Sequence, residues 1–206
     1  MNPGQPLYQY SEDILINTAS KGDLDAFNQL VLRYQDLAYH HAHALLRDPA
    51  LAEDATQDSL IRAFHNMAGF RGGSFRAWLL KIVTNAAYDT LRRSKRHPTQ
   101  SLYPEDESVD EMETPAWLAD TTTSVQDAVE QSEFSRDLYQ LIDELPVVYR
   151  NVLTLVDVHE LDYAEVADVL KIPIGTVKSR LARARYRISE KLCSVKNRQY
   201  CLCDPA

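Results

Sequence analysis

Glycine is scarce in this chain, with only 6 in 206 residues, and that shortage argues against an all-β, turn-rich fold. Cysteine is nearly as rare. Its 3 copies, Cys193, Cys201 and Cys203, all fall at the C-terminal end, where they cannot tie distant parts of a fold together, so a disulfide scaffold is excluded. As metal ligands they are weak candidates, because a fourth ligand and a nearby His are both lacking; the other reading is a simple tail. No apolar run is long enough to span a bilayer. The N-terminal stretch MNPGQPLYQYSED has neither a basic n-region nor an apolar h-region, so it is not a secretory signal and the chain reads as cytoplasmic. A phosphate-binding Gly loop, a nucleophile motif and a convincing metal constellation are also missing. No catalytic residue is therefore assigned, no cofactor is expected, and the chain is not read as an enzyme. His40, His41 and His43 lie close together, but beside Tyr39 on a helix they read as partly exposed surface residues.

Positive charge is absent from one long window. Between His97 and Ser135 there is no Lys or Arg, while Glu105, Asp106, Glu107, Asp110, Glu111, Glu113, Asp120, Asp127, Glu130 and Glu133 all carry negative charge. The net charge of −8 is thus a property of that segment, and the flanking regions are close to balance. Pro98, Pro104 and Pro115 fall in or beside the acidic run, and with Thr121 to Thr123 they mark a flexible acidic linker over residues 97–125.

What is abundant is helical periodicity. The pattern predicts an all-α protein of two small helical domains, residues 1–96 and 126–194, joined by the linker and followed by a tail at 195–206. In the first domain a helix fits Ser11 to Ser20, capped by Ser11 and ended by Gly22. A second begins near Asp23 and carries Phe27, Leu30, Val31 and Tyr34. Asp48 and Pro49 introduce a third, from about Ala50 to Met67. After the loop AGFRGGS, Ser74 is placed to cap a fourth that reaches about Arg96. In the second domain, helices are expected from Val125 towards Leu145, from Val147 to Val156, and from Tyr163 to Leu170.

The final helical segment carries the strongest motif. Asp162 and Glu165 have capping-box spacing, Lys171 to Pro173 break the helix, and Gly175 and Thr176 open the next. Val177, Leu181, Ala184, Ile188 and Leu192 form one apolar stripe. The opposite face carries Ser179, Ala182, Arg183 and Tyr186, flanked by Lys178, Arg180, Arg185 and Arg187. A short helix, a tight turn and a basic amphipathic helix make a helix-turn-helix, the geometry that seats a helix in the DNA major groove. The plainer alternative is a helical hairpin with a solvated basic face.

Two helices of the first domain also carry patterned surfaces. In the third, Ala52, Ala55, Ser59, Leu60 and Ala63 define a buried side, while Asp54, Gln57, Asp58, Ile61 and His65 lie opposite; an Ile among carboxylates suits docking onto a protein. In the fourth, Phe75, Leu79, Ile82 and Ala86 face inward. Trp78, Lys81, Asn85, Tyr88 and Arg92 line another face and lead to a basic cluster at Arg92, Arg93, Lys95 and Arg96. Aromatics interleaved with Lys, Asn and Arg suit unpaired bases and backbone phosphates. The same pattern equally fits a half-buried Trp and Tyr among ordinary surface charges.

Three segments in this order resemble the extracytoplasmic-function (ECF) sigma factors of the bacterial sigma-70 family. DATQDSLIRAF (Asp54 to Phe64) looks like region 2.2, FRGGSFRAWLLKIVTNAAYDTLRR (Phe70 to Arg93) like regions 2.3 and 2.4, and Leu145 to Ile188 like region 4. The resemblance implies a sigma factor that binds core RNA polymerase and directs promoter recognition, DNA melting and transcription initiation in answer to a stress or envelope signal. It implies that Asp54, Gln57, Asp58 and Ile61 meet the β′ clamp helices. Asn66, Phe70 and Arg71, in the loop after them, would take a flipped base of the minus-ten element. Trp78, Lys81, Asn85, Tyr88, Arg92 and Arg93 would then follow the melted strand. At the minus-thirty-five element it implies Thr176, Lys178, Ser179, Ala182 and Arg183, with Arg180 and Arg185 on phosphate. Ala182 is smaller than the family's usual residue there, which limits its base contact to a thymine methyl. The implied partners are core polymerase (β′ clamp helices and β flap), promoter DNA and an anti-sigma factor that would hold the chain at the membrane. Neither membrane insertion nor an obligate homo-oligomer is expected. The rival reading is a stand-alone helix-turn-helix regulator acting on duplex DNA without polymerase; it usually needs a dimerisation helix, and the sequence offers none.

Overall fold

The structure, a computed structural model, describes residues 10–96, 138 and 140–200, without the side chains of 95–96 and 193–200. The expected linker at 97–125, most of the helix expected from Val125, and Cys201 and Cys203 lie outside the described residues, as does the side chain of Cys193. Every regular element among the described residues is a helix, and none of these is long and apolar enough to cross a membrane. The chain divides into two compact units, residues 1–101 with 164–171 and residues 102–163 with 172–206.

The first unit is built on α1 (Glu12–Ala19), α2 (Leu24–Leu46), α3 (Pro49–Asn66) and α4 (Phe75–Arg96). α1 packs on α2, and α2, α3 and α4 pack on one another. Each helix start has a local cause. Asp23 accepts a hydrogen bond from the Ala26 N–H (2.8 Å), Asp48 from the Leu51 N–H (3.0 Å) and Ser74 from the Ala77 N–H (3.1 Å). Ser11 stands at the N-cap of α1 but its side chain makes no capping bond, so the cap expected there is absent; its carbonyl alone accepts from the Ile14 and Leu15 N–H groups. α2 ends where Arg47 takes a left-handed conformation (φ 58°), which returns its N–H to the His43 carbonyl and frees the chain for Asp48 and Pro49.

The core of this unit gathers Leu15, Phe27, Leu30, Leu45, Met67, Phe75, Leu79, Leu80 and Val83, all nearly inaccessible to water. Burying each such side chain is worth about 1.5–3 kcal/mol. Three expectations need correction. On α3, Leu60 is only half-buried. On α4, Ile82 is only half-buried and the inward seam includes Leu80, Val83 and Ala87, a stripe broader than a single row of positions. His41 is not a surface residue: it has no exposure at all, and its Nε2 lies 2.9 Å from Thr84 Oγ1 on α4. α1 is fastened from outside, with the Tyr34 hydroxyl donating to Glu12 (2.6 Å) and Arg33 to the Tyr10 carbonyl (2.8 Å).

The second unit contains helical residues 140–143, α5 (Val147–Leu153) and α7 (Ile174–Tyr200). α5 packs along α7. α5 does not stay α-helical to Val156, as expected; it passes into a π-helical turn at Thr154–Val158. The buried guanidinium of Arg150 donates to the carbonyls of Asp143 (2.7 Å) and Leu145 (3.2 Å), satisfying acceptors in the turn before α5. α6 (Tyr163–Leu170) begins and ends where the pattern predicts, and Lys171 in the left-handed region (φ 54°) opens the three-residue break before α7. Val177, Leu181, Ala184 and Ile188 of α7 are buried as expected, whereas Leu192 is half-exposed.

Candidate nucleic-acid interface

α3 attaches through Ala52, Ala55, Ser59 and Ala63, so its opposite side is left to solvent. Asp54, Gln57, Asp58 and Ile61 are all exposed there, and Ile61 keeps 57% of its surface in water. They line one wall of a shallow groove of about 540 Å³ whose other wall is α4. Arg62 stands between the walls, 3.7 Å from Asp58 and 3.8 Å from Asp89. Asp89 also pairs with Arg92 at 3.3 Å, and Arg93 lines the same groove. The two surfaces read separately from the sequence therefore meet at the end of α4. Asp89 and Arg62 were missed because their pairing joins different helices, although the Asp89–Arg92 spacing of three was there to be read.

Between the helices, Met67–Gly69 forms a single 3₁₀ turn, and Phe70 leads into two glycines with left-handed backbones, Gly72 (φ 92°) and Gly73 (φ 88°). Asn66 turns back on its own helix, its amide donating to the Arg62 carbonyl at 2.7 Å. Phe70 packs edge-on against Trp78, with centroids 5.3 Å apart, and both rings contact the buried Phe75. Tyr34 also contacts Phe75, with centroids 5.2 Å apart. Trp78 and Tyr88 are half-buried, while Arg71, Asn85, Arg92 and Arg93 are exposed and Lys81 is partly so. The aromatic cluster sits at the start of α4, and the exposed amide and cations continue along the helix from it.

In the second unit, Lys178 is exposed and Thr176, Ser179, Arg180, Ala182 and Arg183 are partly so, all in the first turns of α7. Lys178 lies 5.9 Å from the Tyr163 ring, and the Ser179 hydroxyl donates to the Thr176 carbonyl (3.2 Å). Arg185 is placed differently. It forms a two-bond fork with Asp157, Nη2 to Oδ1 at 2.6 Å and Nε to Oδ2 at 3.1 Å. Those hydrogen bonds raise its pKa above the ordinary arginine value. Arg187 lies over the Tyr149 ring (5.0 Å), and Lys191 is paired with Glu144. Asp157, Tyr149 and Glu144 had no sequence signal, since each acts across a turn or between helices. Among the described residues no group of His, Cys, Asp and Glu is arranged to hold a metal.

Known proteins place this architecture. The sigma-70 region 2 family matches residues 30–97 and the sigma-70 region 4 family matches residues 135–188. The chain is 34% identical over 178 residues to the ECF RNA polymerase sigma factor SigW of Bacillus subtilis, covering 86% of this chain and 94% of that one. It is also 34% identical over 188 residues to the RNA polymerase sigma-H factor of Pseudomonas aeruginosa, covering 90% and 96%. Among solved structures it is similar to the sigma factor RpoE of Bartonella quintana in complex with the anti-sigma factor NepR, at 26% identity and a TM-score of 0.60, covering 82% of this chain and 98% of that one. CnrH, solved with the cytosolic domain of CnrY, shares the fold at 23% identity and a TM-score of 0.62, covering 89% and 97%. Relatives that match across both units disfavour a stand-alone regulator. The chain belongs to the extracytoplasmic-function sigma factors of the sigma-70 family and is an alternative sigma factor for transcription initiation.

Proposed function

We propose that the first unit supplies both the polymerase grip and the strand-opening surface, and that the first turns of α7 read duplex DNA upstream. The observation that carries this is the pairing of two unlike faces on adjacent helices. α3 offers carboxylates around an exposed Ile61, while α4 and the Phe70 loop offer aromatics edged with cations and an amide. The first suits a protein partner, here the β′ clamp helices, with Asp54, Gln57, Asp58 and Ile61 as contacts. The second suits unstacked bases of the minus-ten element, each stacking contact being worth about 1–3 kcal/mol. Thr176, Lys178, Ser179, Ala182 and Arg183 would face the minus-thirty-five element, with Arg180 on phosphate. The β flap would meet the second unit. The protein would work in the cytoplasm, held inactive by an anti-sigma factor until a signal releases it. The acidic linker would repel DNA from the free chain, so that tight promoter binding requires polymerase.

Reconstituted transcription with core polymerase on a promoter library tests this reading. The wild-type chain should support initiation, and an Asp54→Arg/Asp58→Arg variant should lose polymerase while keeping its helical circular dichroism. Absence of initiation on every template would refute the reading, as would equally tight promoter binding by the free chain and the holoenzyme at matched salt.

A further inference from the structure

The cations of α7 separate at Ala184. Lys178, Arg180 and Arg183 precede it. Arg185, Arg187 and Lys191 follow it, and all three are turned onto the segment before α6: Asp157, the Tyr149 ring and Glu144 respectively. The Arg185 fork is the most directional of these contacts, because a planar guanidinium meets a carboxylate edge to edge through two hydrogen bonds. Asp157 owes its position to the π-helical turn at Thr154–Val158, which inserts an extra residue and re-aims the chain after the buried Leu153, Thr154 and Leu155.

The apolar seam of α7 gives a reason for such a contact. Val177, Leu181, Ala184 and Ile188 hold the helix by non-directional packing, and Ala184 contributes only a methyl group. A roll of about 20° about the helix axis would move a surface side chain by roughly 2 Å at the radius of an α-helix. That is far more than a hydrogen bond to a base edge tolerates. A two-bond fork beside the seam sets the roll where dispersion contacts do not.

We propose that Asp157 is a positioning residue for recognition of the upstream promoter element: by holding Arg185 in the fork it sets the roll of α7, and Arg185 is thereby withdrawn from phosphate contact. The proposal rests on the reading of α7 as the duplex-reading helix. It differs from the role that family resemblance assigns to Arg185, and it confines the phosphate-contacting cations of the helix to its first turns.

Holoenzyme assembled with full-length variants decides the matter through salt titrations of promoter binding, on the preferred upstream element and on a single-base mismatch of it. Asp157→Asn keeps the volume of the side chain and removes its charge. It should weaken binding to the preferred element about three- to tenfold and narrow the preference over the mismatch, with the salt slope unchanged. Arg185→Ala should do the same. Arg185→Lys retains a charge able to meet phosphate but not the fork, and it should behave as Arg185→Ala does. Arg180→Ala is the reference, and should lower the slope by about 0.9 for its lost phosphate contact. Tighter binding and a steeper slope in Asp157→Asn would overturn the proposal, because Arg185 would then have been released to reach phosphate. Full rescue by Arg185→Lys would also overturn it. Core-polymerase affinity and circular dichroism equal to wild type identify folded variants. If wild-type holoenzyme preferred no upstream element, the reading of α7 itself would fall, an outcome distinct from both of the others.

Discussion

Gly69 and Gly73 flank the same short loop and offer a controlled contrast. A Cβ built on either meets nothing within 4 Å, so neither Ala variant can clash with a neighbour. They differ in backbone: Gly73 has φ +88°, beside Gly72 at +92°, whereas Gly69 lies in the 3₁₀ turn outside the left-handed region. Gly73→Ala should therefore destabilise the first unit by about 1–2 kcal/mol, the strain of an L side chain in left-handed backbone. Gly69→Ala should be neutral or stabilising by about 0.4–1 kcal/mol, because it reduces the freedom of the unfolded chain without native strain. At about 4–8 °C per kcal/mol for a domain of this size, the two midpoints should separate clearly. Thermal and urea unfolding followed by Trp78 fluorescence, on a Trp117→Phe background, places the reporter beside the loop. Equal effects of the two substitutions would refute the reasoning, because sterics and burial cannot distinguish them and only the backbone conformation does.

Three further outcomes follow from the helix starts and the fastenings around them. Asp23→Ala and Asp48→Ala should each lower urea stability by about 1 kcal/mol, while Ser11→Ala, which loses no capping bond, should stay within about 0.5 kcal/mol; equal losses at all three would contradict the cap geometry. The Tyr34 phenol is pushed up from 10.0 to about 12, first by burial and then by its bond to Glu12. A folded-state pKa above the unfolded one means that its stabilising contribution is complete below pH 10 and is lost between pH 10 and about 12. The wild-type minus Tyr34→Phe difference in tyrosinate absorbance should show this late titration, and a midpoint near that of an ordinary phenol would refute it. Arg150→Met should cost about 2–4 kcal/mol in the unfolding of the second unit, by leaving the Asp143 and Leu145 carbonyls without their charged donor. A near-neutral chemical unfolding profile would show that those acceptors find water instead.

What was legible in the sequence is what depends on neighbours along the chain. Asp23, Asp48 and Ser74 announced helix starts because a cap reaches only two or three residues forward. The outward face of α3 and the buried seam of α7 followed from periodicity. The failures involve partners remote in sequence. His41 read as a surface residue because Thr84, the partner that makes its burial tolerable, lies 43 positions away on another helix. The fork between Arg185 and Asp157 was not legible either, because a π-helical turn that no residue pattern specifies aims a carboxylate 28 positions earlier at the guanidinium. Ile82 read as core because the row through Phe75, Leu79 and Ala86 lies at one edge of the arc that α4 buries against two helices, and Ile82 falls just outside that edge. Ser11 had the residue type of a cap but not the bond.

α3 is joined to its neighbours mostly by alanines, with Ala52 and Ala63 having no exposed surface and Ala55 only 3%. Methyl groups leave no room for a larger residue, so the inner side is closed to change; overpacking there costs about 1–3 kcal/mol. The outer side contributes almost nothing to that packing, and substitutions at Asp54, Gln57, Asp58 or Ile61 should leave folding nearly untouched. With the outer side assigned to polymerase as proposed above, stability and partner affinity would be written on opposite sides of one helix in separable residues. A lineage could then retune that affinity without moving through unfolded intermediates, and an engineer could do the same one outward residue at a time.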